Sequence, residues 1–124
     1  MKDNRFVKGR LKSVGYSVKG AYKLVTSEHS IMVQFFIGIG ITIAGFYFNI
    51  APTEWMLQTL AIGLVMAIEG ANTAVEKICD FIHPDFNKKI GFIKDIASGA
   101  VFFAAIAALV VGVIIYYPKV VLLF

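Results

Sequence analysis

IMVQFFIGIGITIAGFYFNI, residues 31–50, decides the fold, because it is twenty consecutive positions without a charge. At about 1.5 Å per residue a helix of that length crosses a hydrocarbon core of roughly 30 Å. Ala51-Pro52-Thr53-Glu54 follows as a tight turn, and Trp55 sits where an interfacial aromatic anchor belongs. A second span begins there and covers about 55–79, apolar as far as Ile68 and polar from Glu69 onward. His83-Pro84-Asp85-Phe86-Asn87-Lys88-Lys89 breaks the helix as a polar loop, and a third span covers about 96–117, with Pro118-Lys119 at its end.

The rest of the chain agrees with a lipid solvent. Apolar residues make up 58% and charged residues 16% of 124 positions, against roughly 45–50% and about 25% in soluble domains. Mean hydropathy is +0.76. The length is that of one domain. Cys79 is the single cysteine, which rules out an intrachain disulfide and reads as a buried small residue. The first 30 residues carry charges throughout, so no secretory signal peptide is expected.

Residues 4–27 read as an amphipathic helix. Phe6, Val7, Leu11, Val14, Val18, Ala21, Tyr22 and Val25 recur at helical spacing, with Arg5, Lys8, Lys12, Lys19 and Lys23 on the remaining surface. Seven of the twelve basic residues lie before position 24, beside one acid, Asp3. Next to membrane spans such a block meets anionic lipid rather than nucleic acid and marks the cytoplasmic side. With Lys88, Lys89 and Lys94 on the same side, the amino terminus and the 80–95 loop are expected in the cytoplasm and the carboxyl terminus outside. The expected fold is all-α: a surface helix followed by three transmembrane helices. Ala100, Ala104, Ala108 and Gly112 form a small-residue stripe on the third span, and Gly63, Ala67, Gly70 and Ala74 nearly match it on the second. Such stripes let helices approach closely in lipid and favour a tight bundle and an oligomer.

Helical geometry places Glu69, Asn72, Thr73, Glu76 and Asp80 within an arc of roughly 100°. A carboxylate as deep as Glu69 costs a few kcal/mol on insertion scales, so it serves a function or has a partner, such as a lysine of another helix. Glu28, Lys94, Asp95 and Ser98 fall at the same level. Carboxylates there suit Mg²⁺, which takes one or two acids together with phosphate oxygens, and lysine suits a phosphate. No P-loop, glycine-rich kinase loop, H-R-D or D-F-G occurs. His29 and His83 lack metal-ligand spacing.

Glu69-Gly70-Ala71-Asn72-Thr73-Ala74-Val75-Glu76, then Asp80, resembles the E-x-x-N-[ST]-A-[IV]-E signature of the bacterial diacylglycerol kinase and undecaprenol kinase family. Lys94-Asp95-Ile96-Ala97-Ser98-Gly99-Ala100-Val101 resembles its second block. Gly15-Tyr16-Ser17 and Lys19-Gly20 resemble its amino-terminal helix, and Glu28 stands where the family has an acid. The resemblance implies a homotrimeric lipid kinase of the bacterial inner membrane, moving the γ-phosphoryl of MgATP to a lipid hydroxyl on the cytoplasmic side. It implies Glu69 as general base, and Glu28 and Glu76 on Mg²⁺ with Asn72 nearby. Lys94 and Asp95 would meet the nucleotide, Tyr16 the adenine and Ser98 the lipid, either undecaprenol or diacylglycerol. The 94–101 run is closer to the undecaprenol branch. The chain departs from the pattern at Gly9, where the family has a basic residue, and at Gln34, where some members have a second acid. Two other classes remain open on the residues alone: a proton-coupled transporter using Glu69, and a non-catalytic membrane scaffold resting on the stripes.

Overall fold

The computed structural model describes the backbone of residues 2–124 and the side chains from Asn4 onward, so the side chains of Lys2 and Asp3 in the basic segment lie outside the described residues. The chain forms four helices: α1 (Lys2–Ser27), α2 (His29–Phe48), α3 (Pro52–Ile82) and α4 (Lys88–Val121). No strand occurs among the described residues. α2 and α4 are long and apolar enough to cross a membrane. α3 is long enough, about 46 Å by helical rise, but Glu69, Glu76, Lys77 and Asp80 load its second half with charge.

α1 and α2 are separated by one residue. Glu28 is extended, with φ −111° and ψ 115°, and the helix resumes at His29. In the turn before it the Thr26 hydroxyl bonds the Tyr22 carbonyl at 2.7 Å and the Ser27 hydroxyl bonds that of Lys23. Hydroxyls bonded back onto carbonyls four residues earlier tilt those carbonyls and bend a helix, which favours a break here. α1 meets the other helices near its last turns, where Leu24 packs so closely on Gly70 that an added Cβ would stand 3.1 Å from Leu24 Cδ1. Phe6, Leu11, Val14, Val18 and Tyr22 remain exposed along it.

The α2–α3 corner is built from Asn49 in the left-handed region, φ 51° and ψ 55°. Its N–H bonds the Phe46 carbonyl at 3.2 Å while the Ile50 N–H reaches Gly45 at 3.1 Å, closing the helix end with the paired bonds of a Schellman motif. Gly45 is required by packing as well: a Cβ there would stand 2.7 Å from the Trp55 ring. The expected turn at 51–54 is therefore shifted. The corner lies at 49–51, and Pro52 already opens α3, where its missing N–H leaves nothing unsatisfied. Glu54 accepts from the Ala51 N–H at 2.9 Å and from Lys119 at 2.7 Å.

α3 ends at Ile82, before the His83-Pro84 pair, since a residue preceding proline is pushed out of the helical region. α4 then starts at Lys88, not near 96, because Asn87 caps it by accepting from the Lys89 N–H at 2.9 Å. Lys88 and Lys89 are thus helical, and Lys94 and Asp95 lie inside α4. Pro118 does not stop α4, which continues to Val121. α3 and α4 pack as an antiparallel hairpin, and α2 crosses α3 where Gly38 faces Ile62. Gln58, 3% exposed, ties the three helices together. Its Nε2 donates to the Ile41 carbonyl at 3.5 Å, and the Tyr116 hydroxyl bonds Gln58 Oε1 and lies 3.2 Å from the same carbonyl.

The two small-residue stripes differ in use. Ala104 is buried and Ala108 and Gly112 partly so, whereas Gly63, Ala67 and Ala74 on α3 are exposed. Of the α3 stripe, Gly70 is partly covered, by α1.

Candidate active site

The polar face foreseen on α3 forms where α1 ends, α2 begins and α4 begins. Glu69 is partly buried, and Gln34 of α2 donates from Nε2 to its Oε1 at 3.4 Å. Thr73 Oγ1 bonds the Glu69 carbonyl at 3.0 Å, which fixes the turn beneath. Among the described residues no lysine pairs with Glu69; an uncharged amide is its partner.

One turn on, Asn72 Nδ2 donates to Glu76 Oε1 at 3.4 Å. The other amide atom, Asn72 Oδ1, is buried and has no partner. A buried carbonyl oxygen without a donor costs free energy, so this atom has capacity for a water, a cation or another donor.

Glu28 reaches this face from the α1–α2 break. Its Oε1 lies 3.1 Å from Lys77 Nζ, the residue after Glu76. Lys94 approaches from α4 but pairs with Asp80 at 2.7 Å. That carboxylate, by its hydrogen bond first, holds the Lys94 ammonium above its ordinary pKa at a position outside the apolar 96–117 stretch. The structure therefore brings Glu28, Glu69, Asn72, Glu76, Asp80 and Lys94 to one end of the molecule. Asp95 and Ser98 are exposed on α4 and Tyr16 is 72% exposed on α1. These three make no side-chain hydrogen bond or ion pair to the α3 face among the described residues.

No three of the acids, histidines or cysteine among the described residues gather as a ready-made metal cage. The donors present nevertheless fit Mg²⁺, which keeps waters and takes only one or two carboxylates beside phosphate oxygens. Glu76, Glu28 and the unpartnered oxygen of Asn72 are hard-oxygen donors of that kind on one face.

Two residues of this site were not legible as such in the sequence. Lys77 lies just past the edge of the polar arc and its partner, Glu28, sits in the break between α1 and α2. Gln34 stood out only as a departure from a family pattern, whereas the structure makes it the partner of Glu69.

The chain is similar to known proteins over most of its length. The sequence profile of the family described as prokaryotic diacylglycerol kinase matches residues 15–116. An undecaprenol kinase of Bacillus subtilis (strain 168) is 29% identical over 116 residues, spanning 94% of this chain and 91% of the relative. A diacylglycerol kinase of Synechocystis sp. is 28% identical over 109 residues, 87% of this chain and 62% of that one. With the matched segment running from the middle of α1 almost to the end of α4, the chain belongs to the prokaryotic diacylglycerol kinase family and is an enzyme of that lipid-kinase type.

Proposed function

We propose that this protein transfers the γ-phosphoryl of MgATP to the hydroxyl of a membrane lipid alcohol at the cytoplasmic face of the bacterial inner membrane. The observation that carries this reading is Glu69. It is a carboxylate at the end of an uncharged helical run, held by Gln34, one turn from the Asn72–Glu76 pair. A base at that depth can reach a hydroxyl whose chains stay in hydrocarbon, while the acids and lysines beyond it reach a water-soluble co-substrate.

Glu69 takes the proton of the lipid hydroxyl as its oxygen forms the bond to the γ-phosphorus. The bond from that phosphorus to the β–γ bridging oxygen breaks, and ADP leaves with the electron pair. Gln34 holds the Glu69 carboxylate by its amide hydrogen bond. Glu28, Glu76 and the Asn72 oxygen would hold Mg²⁺, which supplies charge neutralisation on the phosphates. Lys94, carried by α4, offers a point charge to a phosphate oxygen, with Asp95 beside it. Tyr16 is assigned to the adenine and Ser98 to the lipid by family resemblance. Phosphoryl transfer depends mostly on positioning and electrostatics, so this small set is sufficient.

The reading takes α3 as a third span beside α2 and α4, with α1 lying in the interface on its exposed apolar face. It takes the assembly as a homotrimer, for which the exposed Gly63, Ala67 and Ala74 on α3 offer a close-packing surface. Undecaprenol is the preferred alcohol, supported by the undecaprenol kinase relative that this chain matches over 91% of its length. The test is phosphate incorporation from ATP into undecaprenol and into diacylglycerol, side by side in bicelles with Mg²⁺. Transfer to neither lipid by the purified protein would defeat the reading; equal rates would remove the preference for undecaprenol.

A further inference from the structure

Lys77 stands beside Glu76 on α3, and its Nζ lies 3.1 Å from Glu28 Oε1. The two partners are unequal, for the Lys77 side chain is 70% exposed and that of Glu28 26%. An ion pair this exposed to water is weak and exchangeable, and the lysine can leave it without any buried group being uncovered. The site's other lysine, Lys94, is tied to Asp80 at 2.7 Å.

A nucleotide and its metal change the charge balance on this face. Lys77 sits on Oε1 of Glu28, and a divalent cation on the same carboxylate repels the ammonium beside it. A triphosphate also brings more negative charge to a face that already holds Glu28, Glu76 and Asp80. An ammonium on a flexible four-carbon stem, with three rotatable donors, is suited to changing partners in such a setting.

We propose that Lys77 is a second phosphate-binding lysine of this site. It rests on Glu28 in the free protein and moves to a nucleotide phosphate oxygen when the metal–nucleotide complex binds. The inference depends on the nucleotide reading above. Its chemistry is that of a cation counted twice: Lys77 neutralises Glu28 before the ligand arrives and a phosphate afterward. A lysine that only stapled the α1–α2 break to α3 would behave differently, because losing it would loosen Glu28 and weaken every ligand of that acid.

This difference gives the experiment. Full-length wild type, Lys77→Met and Lys77→Arg are compared in bicelles, without lipid substrate, after their helicity and size are shown to agree. Binding of Mn²⁺ alone is followed by paramagnetic resonance, and binding of the non-hydrolysable analogue AMP-PNP with Mg²⁺ by equilibrium dialysis. Lys77→Met is expected to bind Mn²⁺ alone about threefold more tightly, since Glu28 is freed, and the Mg²⁺ analogue about tenfold more weakly. Lys77→Arg should keep the analogue affinity within about threefold, since a guanidinium also meets phosphate. Both affinities falling together in Lys77→Met, or neither changing, overturns the proposal. Wild type that fails to bind the analogue overturns the nucleotide reading with it. Analogue binding that weakens as expected in Lys77→Met, in a protein that phosphorylates neither lipid, would sink the lipid-kinase reading and leave the lysine's role standing.

Discussion

The two ends of this helix bundle use the same kinds of groups to opposite effect. At the α2–α3 corner an amide, an acid and a lysine are all satisfied within the chain. Gln58 bonds Tyr116 and the Ile41 carbonyl, and Glu54 receives both the Ala51 N–H and Lys119. At the other end hydrogen-bonding capacity is left over: Asn72 Oδ1 has no donor, and Lys77, though paired with Glu28, is largely in solvent. Closed polar networks rigidify a structure; open ones leave valences for something else. The lesson is that polar residues in an apolar bundle divide by whether their hydrogen-bonding capacity is spent, and in this protein the division runs along the length of α3.

The sharpest way to break that comparison is Glu69→Gln. Loss of a general base should lower phosphoryl transfer by at least about 100-fold, with the thermal midpoint barely changed. Activity that survives would move Glu69 into the structural class. Next comes Lys94→Met, expected to cost about 10- to 100-fold in transfer with little change in stability, since its pair with Asp80 is exposed. Denaturation in detergent beside the kinase assay separates the two. At the opposite end the pattern reverses. Gln58→Leu should cost about 1–2 kcal/mol of stability by stripping the Tyr116 hydroxyl of an acceptor, while transfer per folded molecule stays at the wild-type rate.

The smallest effect concerns the Glu54–Lys119 tie. Lys119, by its hydrogen bond first and with the Ala51 N–H second, holds the Glu54 carboxyl below its ordinary value of 4.5. A carboxyl depressed in the folded state contributes stability that is complete above the unfolded value and disappears as pH falls through the folded one. Lys119→Met should therefore flatten part of the fall in melting temperature between about pH 6 and pH 3. An unchanged slope would mean the tie adds nothing.

Much of the fold could be read from local signals. The uncharged run of α2, the helical spacing of α1 and the polar arc of α3 each lie within one element, and periodicity reports such features directly. Their ends were less legible. α4 begins at Lys88 because Asn87 caps it, and it passes through Pro118, so charge and proline misplaced both boundaries. Of the candidate site, the sequence exposed the residues of α3 and the neighbours expected from family resemblance, but not who pairs with whom. Lys94 was expected near the α3 acids and meets Asp80; Lys77 meets Glu28; Gln34 meets Glu69. Gln58 and Tyr116 gave no local signal at all, since their bond joins helices far apart in the chain. These are tertiary choices among several chemically possible partners, and no period of the sequence encodes them.

The α2–α3 corner has a mechanical consequence. With Asn49 locked, Trp55 pressed on Gly45 and Lys119 bridging to Glu54, the corner fixes how far α4 slides along α3. Residues 83–87 join the same two helices at the far end, so the hairpin is held at both ends and the height at which α4 carries Lys94 past the acids of α3 is set by its length.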